Sequence, residues 1–149
     1  MDPLLKEEFP QGGEAISLPA GLDSLEAFVG FVLERAGKAG ASEAVLQDIR
    51  LAMEEILVNA VSYAYPDEKG RIAVRFWVSP DGMLGIEVTD WGIPFDPLAA
   101  DAPDLSREFA ERDIGGLGIY LARSVAQRMA YKRDRNANRL TVFFLSGQG

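Results

Sequence analysis

LQDIRLAMEEILVNAVSYAY, residues Leu46 to Tyr65, is the stretch whose reading decides the fold of this chain. Leu46, Ile49, Met53, Ile56 and Ala60 recur at three- and four-residue spacing, which predicts one buried face of a long helix. Glu55 and Asn59 stand four apart, so they project together beside that apolar stripe rather than opposite it. A carboxylate and an amide held against a core cost free energy unless something is bound there. The alternative is a solvated pair on the helix edge, and the rest of the chain decides between the two.

Composition bounds the chemistry. A chain of 149 residues, 48% hydrophobic and 26% charged, suits one soluble globular domain with its own core. No apolar run approaches bilayer length, and MDPLLKEEFP lacks the basic and apolar regions of a signal peptide. The expectation is a cytoplasmic protein with no membrane partner. The sequence contains neither Cys nor His, which removes disulfides, thiol nucleophiles, Ser-His-Asp triads, thiolate or imidazole zinc sites and phosphohistidine chemistry. Carboxylate, amide, hydroxyl and backbone chemistry remain. A net charge of −8 argues against nucleic acid as a partner, which needs a basic surface. The charge is uneven: Arg123, Arg128, Lys132, Arg133, Arg135 and Arg139 face Asp134 alone, giving +5 beyond residue 122 and −13 before it. Such a tail is either a set of outward side chains on a terminal hairpin or a docking surface for an acidic partner.

Outward from the central helix, residues 1–13 read as a flexible lead-in rich in Pro and Gly, and residues 14–146 as a single domain. Glu14 to Pro19 suits a short strand at a sheet edge, because Pro19 cannot donate a ladder hydrogen bond. Asp23 or Ser24 can cap a helix to about Ala36, with Leu25, Phe28, Val29 and Val32 on its apolar side, and Ser42 can cap the central one. Alternation over Arg71–Ser79 and Met83–Asp90 around Pro80-Asp81-Gly82 predicts a hairpin with Ile72, Val74, Phe76 and Val78 on one face of the first strand and Leu84, Ile86 and Val88 inward on the second. A long connection over 92–113 follows, then Gly115-Gly116-Leu117-Gly118 opens a helix expected over Ile119–Arg128. Met129–Arg135 and Leu140–Leu145 form a second hairpin about a turn at Asn136-Ala137-Asn138.

Three sites therefore stand in order: Glu55 with Asn59, then Asp90-Trp91-Gly92 at a strand end, then the glycine cluster. Each alone has an ordinary explanation. A glycine cluster at a helix N-terminus suits an anion, because free N–H groups and the helix dipole point at it, yet it also suits a bare turn. It is not a dinucleotide fingerprint, since it follows a loop rather than a strand.

In this order and spacing, EEILVNAVSYAY, DWGIPFDP and GGLGIYLAR resemble the N, G1 and G2 boxes of the GHKL ATPases. Within that superfamily the chain looks most like the anti-sigma-factor serine kinases of the RsbW and SpoIIAB type. The resemblance implies an α+β fold, a two-layer α/β sandwich with a mixed, mainly antiparallel sheet and helices on one face. It implies ATP and Mg²⁺ as cofactors, with Asn59 as metal ligand, Glu55 as general base toward an attacking hydroxyl and Glu54 as a possible supporting acid. Asp90 would accept from the adenine amino group, and Gly92 would let backbone approach the base. Gly116 and Gly118 would present amides to the phosphates, Thr141 would close the adenine pocket, and residues 93–114 would form the ATP lid. The implied partners are a sigma factor, a STAS-type anti-sigma-factor antagonist phosphorylated on serine, and a second copy in a homodimer. Two positions depart from the family pattern. Tyr63 stands where a histidine is common, and Ile114 directly precedes the glycines where an arginine is usual, with Arg107 and Arg112 further upstream. These departures favour an alternative, a non-catalytic ATP-binding module that regulates a partner by contact.

Overall fold

A computed structural model describes residues 13–65, 69–99 and 114–147. Most of the expected lead-in, and residues 100–113 of the expected lid with Arg107 and Arg112, lie outside the described residues. The chain runs β1 (Glu14–Pro19), a 3-10 turn (Leu22–Ser24), α1 (Leu25–Lys38), α2 (Glu43–Tyr63), β2 (Arg71–Val78), β3 (Leu84–Asp90), α3 (Ile114–Val125), β4 (Arg128–Asp134) and β5 (Ala137–Phe144).

The central stretch forms one helix, α2. Ser42 caps it, its Oγ accepting from the Val45 N–H at 3.2 Å and satisfying a first-turn donor. The Ser42 N–H in turn donates to the Ser146 carbonyl at 2.8 Å, which ties the helix start to the chain leaving β5. Ile49, Ala52, Met53, Ile56 and Leu57 are buried, with Leu46 and Ala60 packed at the margin of the core.

The sheet has five strands in the order β1-β2-β3-β5-β4. All of its pairings are antiparallel, so the mixed sheet that the resemblance allows is purely antiparallel among the described strands. Pro19 lies on the edge strand, as its missing N–H requires. Period-two alternation sends Ile72, Val74, Ile86, Val88, Leu140 and Val142 to one face, where they meet Phe28 and Val32 of α1 and Met53 and Ile56 of α2. Val78, expected on that face, is the last residue of β2 and proves exposed. Helices cover that face, which makes the two-layer α/β sandwich. The opposite face carries Arg75, Glu87, Arg139 and Thr141.

One boundary differs from expectation. α3 already contains the glycines and ends at Val125, rather than running from Ile119 to Arg128. At its start, first-turn amides lack intrahelical partners in any helix, so glycine there sacrifices no bond. At its end, the Gln127 N–H donates to the Phe143 carbonyl at 2.8 Å and Arg128 pairs with Phe143, so the sheet captures the chain before another helical turn can form.

Candidate active site

Asn59 lies one turn before the end of α2, and Asp90 is the last residue of β3. They come from opposite layers of the sandwich and line one cavity, together with Ile56, Tyr63, Phe95 and Asn138. The cavity is small, about 30 Å³, roughly the share of one water molecule in the liquid. Two of its lining residues, Phe95 and Tyr63, stack with ring centroids 5.0 Å apart and planes 14° apart.

Asp90 is 8% exposed, and its Oδ1 accepts two hydrogen bonds, from the Gly92 N–H at 2.9 Å and from Asn138 Nδ2 at 2.9 Å. Burial pushes its carboxyl above the ordinary carboxylate value, while those two donors and the nearby Arg133 charge pull the other way. The turn after β3 passes hard against the end of α2. A Cβ at Gly92 would stand 1.9 Å from the Ala64 carbonyl oxygen, so only glycine fits there. The turn is clamped by the Ile93 N–H donating to the Ala64 carbonyl at 3.1 Å and the Trp91 N–H donating to the Tyr65 hydroxyl at 2.8 Å. Arg133 completes the clamp, its Nη1 donating to the Gly92 carbonyl at 2.9 Å.

At the other end, Glu55 meets α3. A Cβ added at Gly118 would stand 2.4 Å from Glu55 Oε2, so the carboxylate fills the space that the missing side chain leaves. Gly118 is the fifth described residue of α3, where its amide has an intrahelical acceptor at Ile114, and Gly116 lies two residues nearer the start of the described helix. Glu54 turns elsewhere, accepting from Arg50 at 3.3 Å from a partly exposed position.

Whether Mg²⁺ fits can be tested on Asn59. Its Oδ1 is buried and has no hydrogen-bond partner. A buried acceptor without a donor is costly unless a ligand completes it, and a neutral oxygen suits a hard cation. Among the described residues no cluster of three or more carboxylates forms a metal cage. Asn59 therefore fits the sparse protein contribution typical of Mg²⁺ shared with phosphates.

Thr141 does not line this cavity. It lies on the sheet face away from the helices and donates to Glu87 Oε2 at 3.2 Å. The place expected for Thr141 belongs to Asn138, because β5 pairs Asn138 with Asp90 and Thr141 with Glu87. The alternation could have revealed this, since Asn138 shares its parity with the inward Leu140 and Val142. Reading Asn136-Ala137-Asn138 as a turn concealed it; β5 begins at Ala137.

The histidine kinase-like ATPase domain family matches residues 18–144. The serine-protein kinase RsbW of Bacillus velezensis is 30% identical over 120 residues, covering 76% of this chain and 73% of the relative. RsbW of Bacillus subtilis is 28% identical over the same coverage. The solved RsbU and RsbW domains of a Mycobacterium tuberculosis protein superpose with a TM-score of 0.64 at 20% identity, covering 91% of this chain. This chain spans 33% of that longer one. The histidine kinase domain of an Erythrobacter litoralis blue-light activated kinase gives 0.52 at 19% identity, covering 83% of this chain and 62% of that one. At these identities both structural likenesses speak to the fold.

Proposed function

The chain belongs to the histidine kinase-like ATPase domain family, alongside the RsbW serine-protein kinases, and from that premise we propose that it is a Mg²⁺- and ATP-dependent anti-sigma factor and serine-protein kinase. Its substrate is a serine of an anti-sigma-factor antagonist of STAS type, and it also binds a sigma factor and pairs with a second copy of itself. The observation that carries this is the cavity shared by Asn59 and Asp90, with an unpaired amide oxygen at one side and a buried acceptor at the other.

In this proposal Asp90 receives the adenine amino group, and Gly116 offers an amide to the phosphates. Asn59 would hold Mg²⁺, which when bound neutralises phosphate charge. Glu55 holds the proton given up by the serine hydroxyl as its oxygen bonds the γ-phosphorus and the bond to the β–γ bridging oxygen breaks, leaving ADP. Phosphoryl transfer depends chiefly on positioning and charge neutralisation. The close contact of Glu55 with α3 supports the positioning, because the carboxylate sits against the helix that in this proposal offers its amides to the phosphates.

Transfer of labelled phosphate from ATP to the antagonist tests this, with wild type beside Glu55→Ala. Transfer is expected to disappear in the variant while Mg-ATP binding persists; equal transfer by both proteins would refute the base assignment. What favours the second reading, the non-catalytic ATP-binding module, is the pair of departures at Tyr63 and Ile114. Tight Mg-ATP binding with no transfer to any antagonist would select it.

A further inference from the structure

Asp90 could read a base in two ways, and the difference lies in how many of its oxygens are available. A carboxylate with both oxygens open accepts the paired N–H donors of guanine, N1–H and N2–H, one on each oxygen. With a single open oxygen it accepts one exocyclic amine, as adenine presents.

Asn138 is 5% exposed and every polar valence of its side chain is used. Its Nδ2 donates to Asp90 Oδ1 at 2.9 Å and to the Ile93 carbonyl at 2.7 Å. Its Oδ1 accepts from the Tyr131 hydroxyl at 2.5 Å and from the Phe95 N–H at 3.3 Å. Both nitrogen contacts are acceptors and both oxygen contacts are donors, so the amide has one self-consistent orientation. Asp90 Oδ1 also takes the Gly92 N–H, which fills both of its lone pairs. Among the described residues none donates to Oδ2.

We propose that Asn138 is a positioning residue that sets base selectivity: by saturating Asp90 Oδ1 it leaves Oδ2 as a single acceptor, which admits adenine and rejects guanine. The proposal rests on the cleft being an ATP site. Guanine would bring two adjacent donors to one open oxygen, leaving one buried donor unpaired. Sites of this kind discriminate strongly because an unmatched buried polar group has nowhere to turn.

The test is calorimetric affinity for Mg-ATP and for Mg-GTP in wild type, Asn138→Ala and Asn138→Leu, with circular dichroism to check the fold. Wild type is expected to prefer ATP by about 100-fold or more, as a hydrogen-bonding site can. Either folded variant is expected to shrink that ratio to below about tenfold, with an absolute gain in Mg-GTP affinity, because the freed Oδ1 becomes a second acceptor. A merely structural role would weaken both nucleotides by the same factor, and that result overturns the proposal. A second readout is the pH below which ATP affinity falls. Asn138, the Gly92 N–H and Arg133 all favour the ionised Asp90, and Tyr131, Asn59 and Tyr63 line the same cavity. Loss of the Asn138 bond is expected to move that pH upward, and an unmoved profile counts against the proposal. If wild type binds neither nucleotide, the ATP site itself is refuted and this proposal with it. If wild type prefers ATP and the variants keep the full ratio, only the role of Asn138 fails.

Discussion

At the scale of single residues, Asn59 combines an unusual place in the sequence with an unusual environment in the structure. A polar side chain on the buried flank of an apolar helix suggests a ligand, and the structure leaves its Oδ1 buried and unpaired. Such a group is retained against stability. Asn59→Ala removes the unpaired oxygen and installs a better helix former, so thermal denaturation is expected to show unchanged or increased stability, by up to about 1 kcal/mol. Mg-ATP affinity is expected to fall by at least about tenfold, the size of one lost contact to a charged ligand. A destabilised variant with intact binding would assign Asn59 to the fold instead of the site. Thr141 is the converse case. Its residue type suited the adenine pocket, but its parity on β5 turns it to the other face, and Asn138 takes the place. Residue type says what a side chain can do, whereas strand register says where it does it.

At the scale of elements, the site is a junction of α2 and α3 against the ends of β3 and β5. The helices were legible in the sequence, because three- and four-residue periodicity marks α2 and a glycine cluster marks the start of α3. Their contact was not, because nothing in a one-dimensional pattern says that the hydrogen of Gly118 faces the carboxylate of Glu55. Gly118→Ala probes that contact. The atom met by the new Cβ is the end of a flexible side chain, so Glu55 can rotate away, and exchanging a mid-helix glycine is expected to stabilise by about 0.5–1 kcal/mol. The displaced carboxylate is expected to slow phosphate transfer by about 100-fold, the effect of a misplacement near 1 Å, with Mg-ATP affinity preserved. Transfer at the wild-type rate would show that Glu55 needs no fixed place.

At the scale of the whole molecule, the basic tail divides between the two faces of the sheet, with Arg139 on the face away from the described helices and Arg133 on the side of the cavity. The basic tail is no uniform row of outward side chains. Arg139 is 3% exposed and ion-paired with Asp134 at 3.5 Å and Glu87 at 3.9 Å, Arg128 lies over the Phe143 ring, and Arg133 holds the Gly92 carbonyl. Half of the basic residues counted in that tail thus serve the fold or the site. Glu87 lies at the centre of the face that carries Arg139. Burial raises its carboxyl above the ordinary value, against the Thr141 and Thr89 hydroxyls and the Arg75 and Lys132 charges. Because the folded-state value lies above the unfolded one, its contribution to stability is fullest below the unfolded value and is lost as pH rises through the folded one. Glu87→Gln cannot titrate. Urea midpoints measured from acidic to neutral pH are therefore expected to move in favour of the variant as pH rises from the ordinary carboxylate range through the raised value. A constant offset across that range would reflect only the partner lost by Arg139, and would remove the titration of Glu87 from the account.

What the sequence determined by itself was the order of elements, the two-layer class and the three site motifs, because periodicity, capping and turn chemistry act over a few residues and leave local marks. Tertiary structure alone decided the geometry of the cavity that Asn59 and Asp90 share, that Asn138 rather than Thr141 holds the Asp90 carboxylate, and that Glu55 rests on Gly118. Those relations depend on strand register and helix packing between residues far apart in the chain, where a shift of one position exchanges the two faces of a strand.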